Sequence, residues 1–95
     1  MKKRQPLLLI GAGGHAGSCL EVIEKSKKFF VAGFISNNHS INDKILGYKV
    51  LSNKDNYGDF FPKIKNAAIC VGQIKSSNKR EIIFKKLKKI GFHLP

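Results

Sequence analysis

Leu7-Leu8-Leu9-Ile10-Gly11-Ala12-Gly13-Gly14-His15-Ala16-Gly17 decides how the chain is read. Four apolar residues run straight into a glycine-dense turn, and an amphipathic helical pattern follows. That is the order required of a strand–loop–helix unit that cradles phosphate. Gly11 can make the tight turn, and Gly13 keeps a Cβ out of the space a ligand would occupy. The small residues Ala16 and Gly17 let the helix sit close to the strand. Its free N–H groups and its dipole then form an anion site.

Outward from this stretch, strands and helices alternate. Pro6 to Ile10 is continuously apolar and reads as a strand buried on both faces. From His15 to about Lys28 the period is helical, with Ala16, Cys19, Leu20 and Ile23 on one face. Glu21 with Lys25 and Glu24 with Lys28 are spaced as favourable pairs on the other. Phe29 to Ile35 is a second strand, and this spacing implies a right-handed crossover and a parallel sheet. Ser36 to Ser40 is loop by composition. Ile45 to Leu51 reads as a short hairpin or irregular extended piece hinged at Gly47. Residues 53–66 are polar, and a weak helical turn and loop are expected there, with Phe60-Phe61-Pro62 as a local hydrophobic anchor. Ala67 to Val71 is the next buried strand, ended by Gly72. Asn78 with Glu81 reads as a capping pair opening a helix to Lys89, with Ile83, Leu87 and Ile90 inward. Lys79, Lys85, Lys86, Lys88 and Lys89 point outward, Gly91 is the natural stop, and Phe92 begins another extended segment.

Ninety-five residues make one small domain, which buries only about two-thirds of its unfolded surface. No apolar run approaches the ~20 residues of a membrane span. The Leu7–Ile10 run behind Met1-Lys2-Lys3-Arg4 is too short for a signal-peptide core, so a cytoplasmic protein is expected. Cys19 and Cys70 have no metal-ligand spacing and read as small buried hydrophobes kept reduced. His39 and His93 also lack metal spacing and read as solvent-exposed.

The net charge is +12, from 18 Lys and Arg against 6 Asp and Glu. Such a balance points to an anionic partner. Only Arg4 and Arg80 are arginines, however, and base readout and bidentate phosphate contacts favour Arg over Lys. The lysines read as dispersed on solvated faces, and no nucleic-acid partner is expected. The lysine-rich last helix needs its apolar face to cover the sheet, so no membrane contact is expected either.

A dinucleotide-binding unit wants a carboxylate at the end of its second strand to hold the ribose hydroxyls. Here Ser36-Asn37 stands in that place, and Asp43 lies deep in the following loop. Hydride transfer to NAD(P) is therefore not expected.

Five segments now occur in a diagnostic order: Gly11-Ala12-Gly13-Gly14-His15-Ala16; Ala32-Gly33-Phe34-Ile35; Ile45-Leu46-Gly47-Tyr48-Lys49-Val50-Leu51; Ala68-Ile69-Cys70-Val71-Gly72; and Lys79 to Leu87 before Gly91-Phe92. Together they resemble the N-terminal domain of bacterial sugar O- and N-acyltransferases of the NeuD/PglD type, over essentially the whole chain. The resemblance implies an α/β fold: a small Rossmann-like three-layer domain with a short, mainly parallel sheet, spanning residues 1–95. It implies binding of a UDP-sugar or related activated sugar as the substrate-binding domain of a sugar acyltransferase in glycan biosynthesis. In that family a left-handed β-helix follows, which trimerises, binds acetyl-CoA and carries the catalytic histidine. Residues 1–95 contain no hexapeptide repeat, so this stretch is expected to bind no cofactor itself. It is also expected to carry no catalytic residue or acyl transfer of its own, and to be a monomer or weak dimer. The family's usual aspartates are replaced here by Ser36-Asn37, which alters the nucleoside contacts.

The candidate substrate-binding residues follow. Gly11, Gly13 and Gly14 would present backbone donors to the diphosphate or sugar, and the ring of His15 could reach a phosphate or the sugar. His15 has no neighbouring Ser, Cys or carboxylate placed as a catalytic partner. Ser36 and Asn37 sit at a strand's carboxyl end, where open α/β sheets bind ligands, and could bond ribose or uracil. Gly72 and Gln73 end the next parallel strand on the same edge. Arg80 matches an arginine of the family's helical motif. Two other readings stay open: a different Rossmann-like dinucleotide-binding fragment, and a small basic module that binds nucleic acid or protein.

Overall fold

The computed structural model describes residues 3–11, 16–37, 39–54, 56–70 and 78–94. Strand β1 (Gln5–Ile10) is central, flanked on one side by β2 (Phe29–Ile35) and on the other by β5 (Asn66–Ile69), both parallel to it. Outside β2 lie β4 (Tyr48–Ser52), parallel to β2, and β3 (Lys44–Ile45), antiparallel to β4. The sheet order is therefore β3-β4-β2-β1-β5. Counting only the parallel strands, chain order reads third, second, first, fourth, the order of the first four strands of a doubly wound sheet.

Alternation along β1 explains the layers. Leu7 and Leu9 join Leu20, Val31, Phe34, Val50 and Cys70 on one face, beneath helix α1 (Ala16–Ser26). Leu8 and Ile10 join Ile35, Tyr57, Ala67, Ile83, Leu87 and Phe92 on the other, beneath helix α2 (Asn78–Ile90). Leu7, Leu8 and Leu9 are fully buried, as a strand covered on both faces requires.

Cys19, Leu20 and Ile23 pack inward from α1, as their period predicts. Glu21 and Lys25 form the expected ion pair at 3.0 Å on the outer face. The Glu24–Lys28 pairing does not follow. The helix ends at Ser26 and Lys27 takes a left-handed φ of 58°, so Lys28 is not one turn beyond Glu24. Glu24 instead accepts a 3.5 Å hydrogen bond from the Tyr48 hydroxyl. At the far end of the chain, the inward set Ile83, Leu87 and Ile90 anchors α2. Asn78 is already the first helical residue, one position later than a cap would stand.

The extended piece hinged at Gly47 is a true hairpin. Leu46 and Gly47 both have positive φ, 53° and 90°, matching the turn geometry that suits the twist of two short strands. A single 3₁₀ turn (Tyr57–Phe60) occupies the polar region before β5. It is followed by Phe61, whose ring meets Phe92 edge-on at 5.3 Å. Gly91 ends α2 with the N–H groups of Gly91 and Phe92 both donating to the Leu87 carbonyl at 3.1 Å. His93 then forms an isolated parallel bridge beside β5, its N–H donating to Lys65 O at 2.7 Å and its carbonyl accepting from Ala67 N–H at 2.9 Å, rather than a full strand. Its side chain is exposed, as expected.

Candidate functional site

The carboxyl ends of the four parallel strands are levelled by a row of backbone hydrogen bonds. Gly11 N–H donates to Ile35 O at 2.8 Å, Ser36 N–H to Ser52 O at 3.0 Å, and Cys70 N–H to Ile10 O at 2.7 Å. The residues just past β1, β2 and β5 therefore share one edge with the end of β4. Because α1 covers one face and α2 the other, the chain diverges to opposite sides after β1 and after β5. Open α/β sheets bind ligands in the crevice at such a switch point.

Gly11 stands at the head of that crevice with φ of 94°, a conformation that side chains with a Cβ rarely adopt. Gly13, Gly14, His15, Gly72 and Gln73 lie outside the described residues, so their assignments rest on the sequence. Ser36 is buried immediately after β2, and Asn37 is exposed beside it in a turn.

His39 differs from its expected place. It is half-buried rather than solvent-exposed, with Nδ1 2.8 Å from the Ser36 hydroxyl oxygen. The turn after β2 brings a residue three positions on back over the strand end. Spacing alone gave only a weak signal for this pair, because the i,i+3 relation has no fixed meaning in a loop. Asp43 is committed locally: its carboxylate accepts the Ser40 N–H at 2.9 Å, which closes the 40–43 turn.

On the β4 side, the buried Ser52 hydroxyl donates to the Asn56 side-chain carbonyl and accepts from Lys54 N–H at 3.1 Å. Asn56 in turn donates to Asp59 at 2.9 Å. This network stitches its own turn together and leaves Ser52 a supporting residue.

Arg80 is exposed in the first turn of α2 and borders a groove of about 500 Å³. Ala68, Ile69, Glu81, Phe84 and Leu94 also line this groove, which runs along the outer flank of β5 rather than between β1 and β5. Its charge nevertheless acts on Cys70 at the end of β5. Burial pushes the Cys70 thiol up, the neighbouring Cys19 side chain adds to this, and the Arg80 charge opposes it. Both cysteines are free. Cys70 therefore stays a protonated, inert core residue, in line with its reading as a small hydrophobe.

A family model described as the PglD N-terminal domain matches residues 6–87. The chain belongs to this family. The matched span runs from the first residues of β1 to Leu87 of α2 and so includes the whole switch-point edge. The domain stands at the N-terminus of sugar acyltransferases, and its small Rossmann-like fold is the one expected from the five ordered segments. No curated protein and no solved structure gives a significant match. Among the described residues, no group of three or more His, Cys, Asp or Glu side chains could hold a metal ion, and no helix is long and apolar enough to cross a membrane.

Proposed function

We propose that this PglD N-terminal domain binds a UDP-sugar, or a related activated sugar, and presents it for acylation. The diphosphate lies on the loop Gly11–His15 against the N-terminus of α1, and the nucleoside lies over the end of β2. The observation that carries this reading is the position of Gly11. It has positive φ, is bonded to the last residue of β2, and opens the loop at the sheet's switch point. Backbone N–H groups and a helix dipole suit a diphosphate, which needs several donors at close approach. Arg80, exposed in the first turn of α2, adds a positive charge on the β5 side of the sheet. The chemistry of acyl transfer, its acetyl-CoA and trimer formation belong in this reading to the family's β-helix and not to residues 1–95.

Calorimetric titration with UDP, a UDP-N-acetylsugar, NAD and a DNA duplex tests the proposal. The uridine ligands are expected to bind and NAD to bind weakly or not at all. Gly13→Val is expected to abolish UDP binding with the fold retained, because a branched side chain fills the space the phosphates need. Unchanged affinity in that variant places the site elsewhere.

A further inference from the structure

We propose that His39, positioned by Ser36, is the group that reads the ribose 2′-hydroxyl of the bound nucleotide. This rests on the reading of the domain as a nucleotide-sugar binder. In doubly wound sheets, ribose recognition falls to a carboxylate just beyond the second strand. This chain has Ser36-Asn37 there, and the nearest acidic residue, Asp43, is occupied by the Ser40 N–H.

The Ser36–His39 pair meets the chemical requirement in another way. Ser36 is buried and its backbone N–H is bonded to Ser52 O, so its hydroxyl is a fixed point at the strand end. That hydroxyl engages Nδ1 of His39 at 2.8 Å, which orients the ring and leaves Nε2 as its remaining hydrogen-bonding atom. With Nδ1 engaged, the imidazole offers a single bond at Nε2, where a carboxylate can accept from two hydroxyls at once. One ribose hydroxyl is therefore read rather than a pair. The ladder bond from Gly11 to Ile35 keeps the residue after β2 beside Gly11, so a ribose joined to a diphosphate bound at Gly11 passes the Ser36–His39 end of the sheet. Ser36 acts as a positioning residue, and His39 touches the ligand.

The test compares UDP with 2′-deoxy-UDP on the protein and on His39→Ala, Ser36→Ala and Ser36→Thr. Losing one hydrogen bond at a partly desolvated site lowers affinity by about five- to thirty-fold, so UDP is expected to exceed 2′-deoxy-UDP by that ratio. His39→Ala is expected to bring the ratio close to one while UDP remains bound through its diphosphate. Ser36→Ala lowers the ratio part-way, and Ser36→Thr, which keeps the hydroxyl, restores it. Nitrogen-15 spectra of the His39 ring provide a readout that needs no variant: UDP shifts Nε2, and 2′-deoxy-UDP does not. A ratio unchanged in His39→Ala, or an Nε2 signal indifferent to UDP, overturns the assignment while leaving the domain a UDP binder. An unchanged ratio in Ser36→Ala overturns the positioning role. Failure of the unaltered protein to bind UDP at all overturns the underlying reading and this inference with it.

Discussion

Gly11 donates its backbone N–H to the carbonyl of Ile35 across 2.8 Å, joining the first residue of the glycine loop to the last residue of β2. Gly11 itself holds φ at 94°. Gly11→Ala is therefore expected to cost about 1–2 kcal/mol of stability through left-handed strain alone. It is also expected to weaken UDP by tenfold or more by displacing the loop. Chemical denaturation and calorimetry on the same sample check both. A variant with normal UDP affinity would separate the loop geometry from binding.

At Gly33, β2 packs tightly against β4. A Cβ added there would lie 2.5 Å from Leu51 Cγ and 2.9 Å from the Lys49 backbone carbonyl. The leucine can turn aside, but the carbonyl belongs to the strand and cannot. Gly33→Ala is expected to destabilise the fold by about 1–3 kcal/mol. Adding Leu51→Ala should fail to restore it, because the carbonyl clash remains. Urea midpoints of the single and double variants measure this.

The buried Cys70 thiol makes stability fall in alkali. Burial and Cys19 hold its proton on in the native state, whereas the unfolded thiol releases its proton around its ordinary value of 9.0. Above that pH the unfolded chain binds fewer protons than the native one, so unfolding becomes easier as pH rises. The contribution approaches about 1.4 kcal/mol per pH unit. The stability difference between the protein and Cys70→Ala, followed from pH 8 to 10.5, is expected to shrink above about pH 9. A difference independent of pH would mean that the folded thiol ionises normally.

The exposed lysines of α2 should give only weak DNA binding. Lys85, Lys86, Lys88 and Lys89 lie on its solvent side without a clustered arginine among them. Counter-ion release then dominates, and affinity should fall steeply between 50 and about 200 mM salt with no sequence preference. A salt-tolerant complex at sub-micromolar concentration would instead mark the helix as a nucleic-acid surface.

Asn66 ties the start of β5 to β1. Its side-chain amide donates to Gln5 Oε1 and Pro6 O, each at 3.1 Å, from a buried position. Asn66→Ala leaves the Pro6 carbonyl without that donor and is expected to cost about 1–3 kcal/mol in a denaturation curve. Asn66→Asp, which loses the donors and buries a charge, should be worse.

The sequence by itself determined the elements and their periods. The Leu7–Ile10 run, the helical set Cys19-Leu20-Ile23, the apolar stretch Phe29–Ile35, the hinge at Gly47 and the stop at Gly91 each fall where structure forms. These features depend on neighbours within a few positions, through backbone sterics and the alternation of buried faces. The junction at the glycine stretch was legible for the same reason, with β1 ending at Ile10 and α1 beginning at Ala16. The tertiary structure decided what depends on distant contacts. It placed β4 beside β2, ended α1 before Lys28 could meet Glu24, and set Arg80 by the outer groove. It also turned the loop after β2 back so that His39 meets Ser36. A loop histidine carries no periodic signal, and its partner is chosen only when the row of backbone bonds brings the strand ends level.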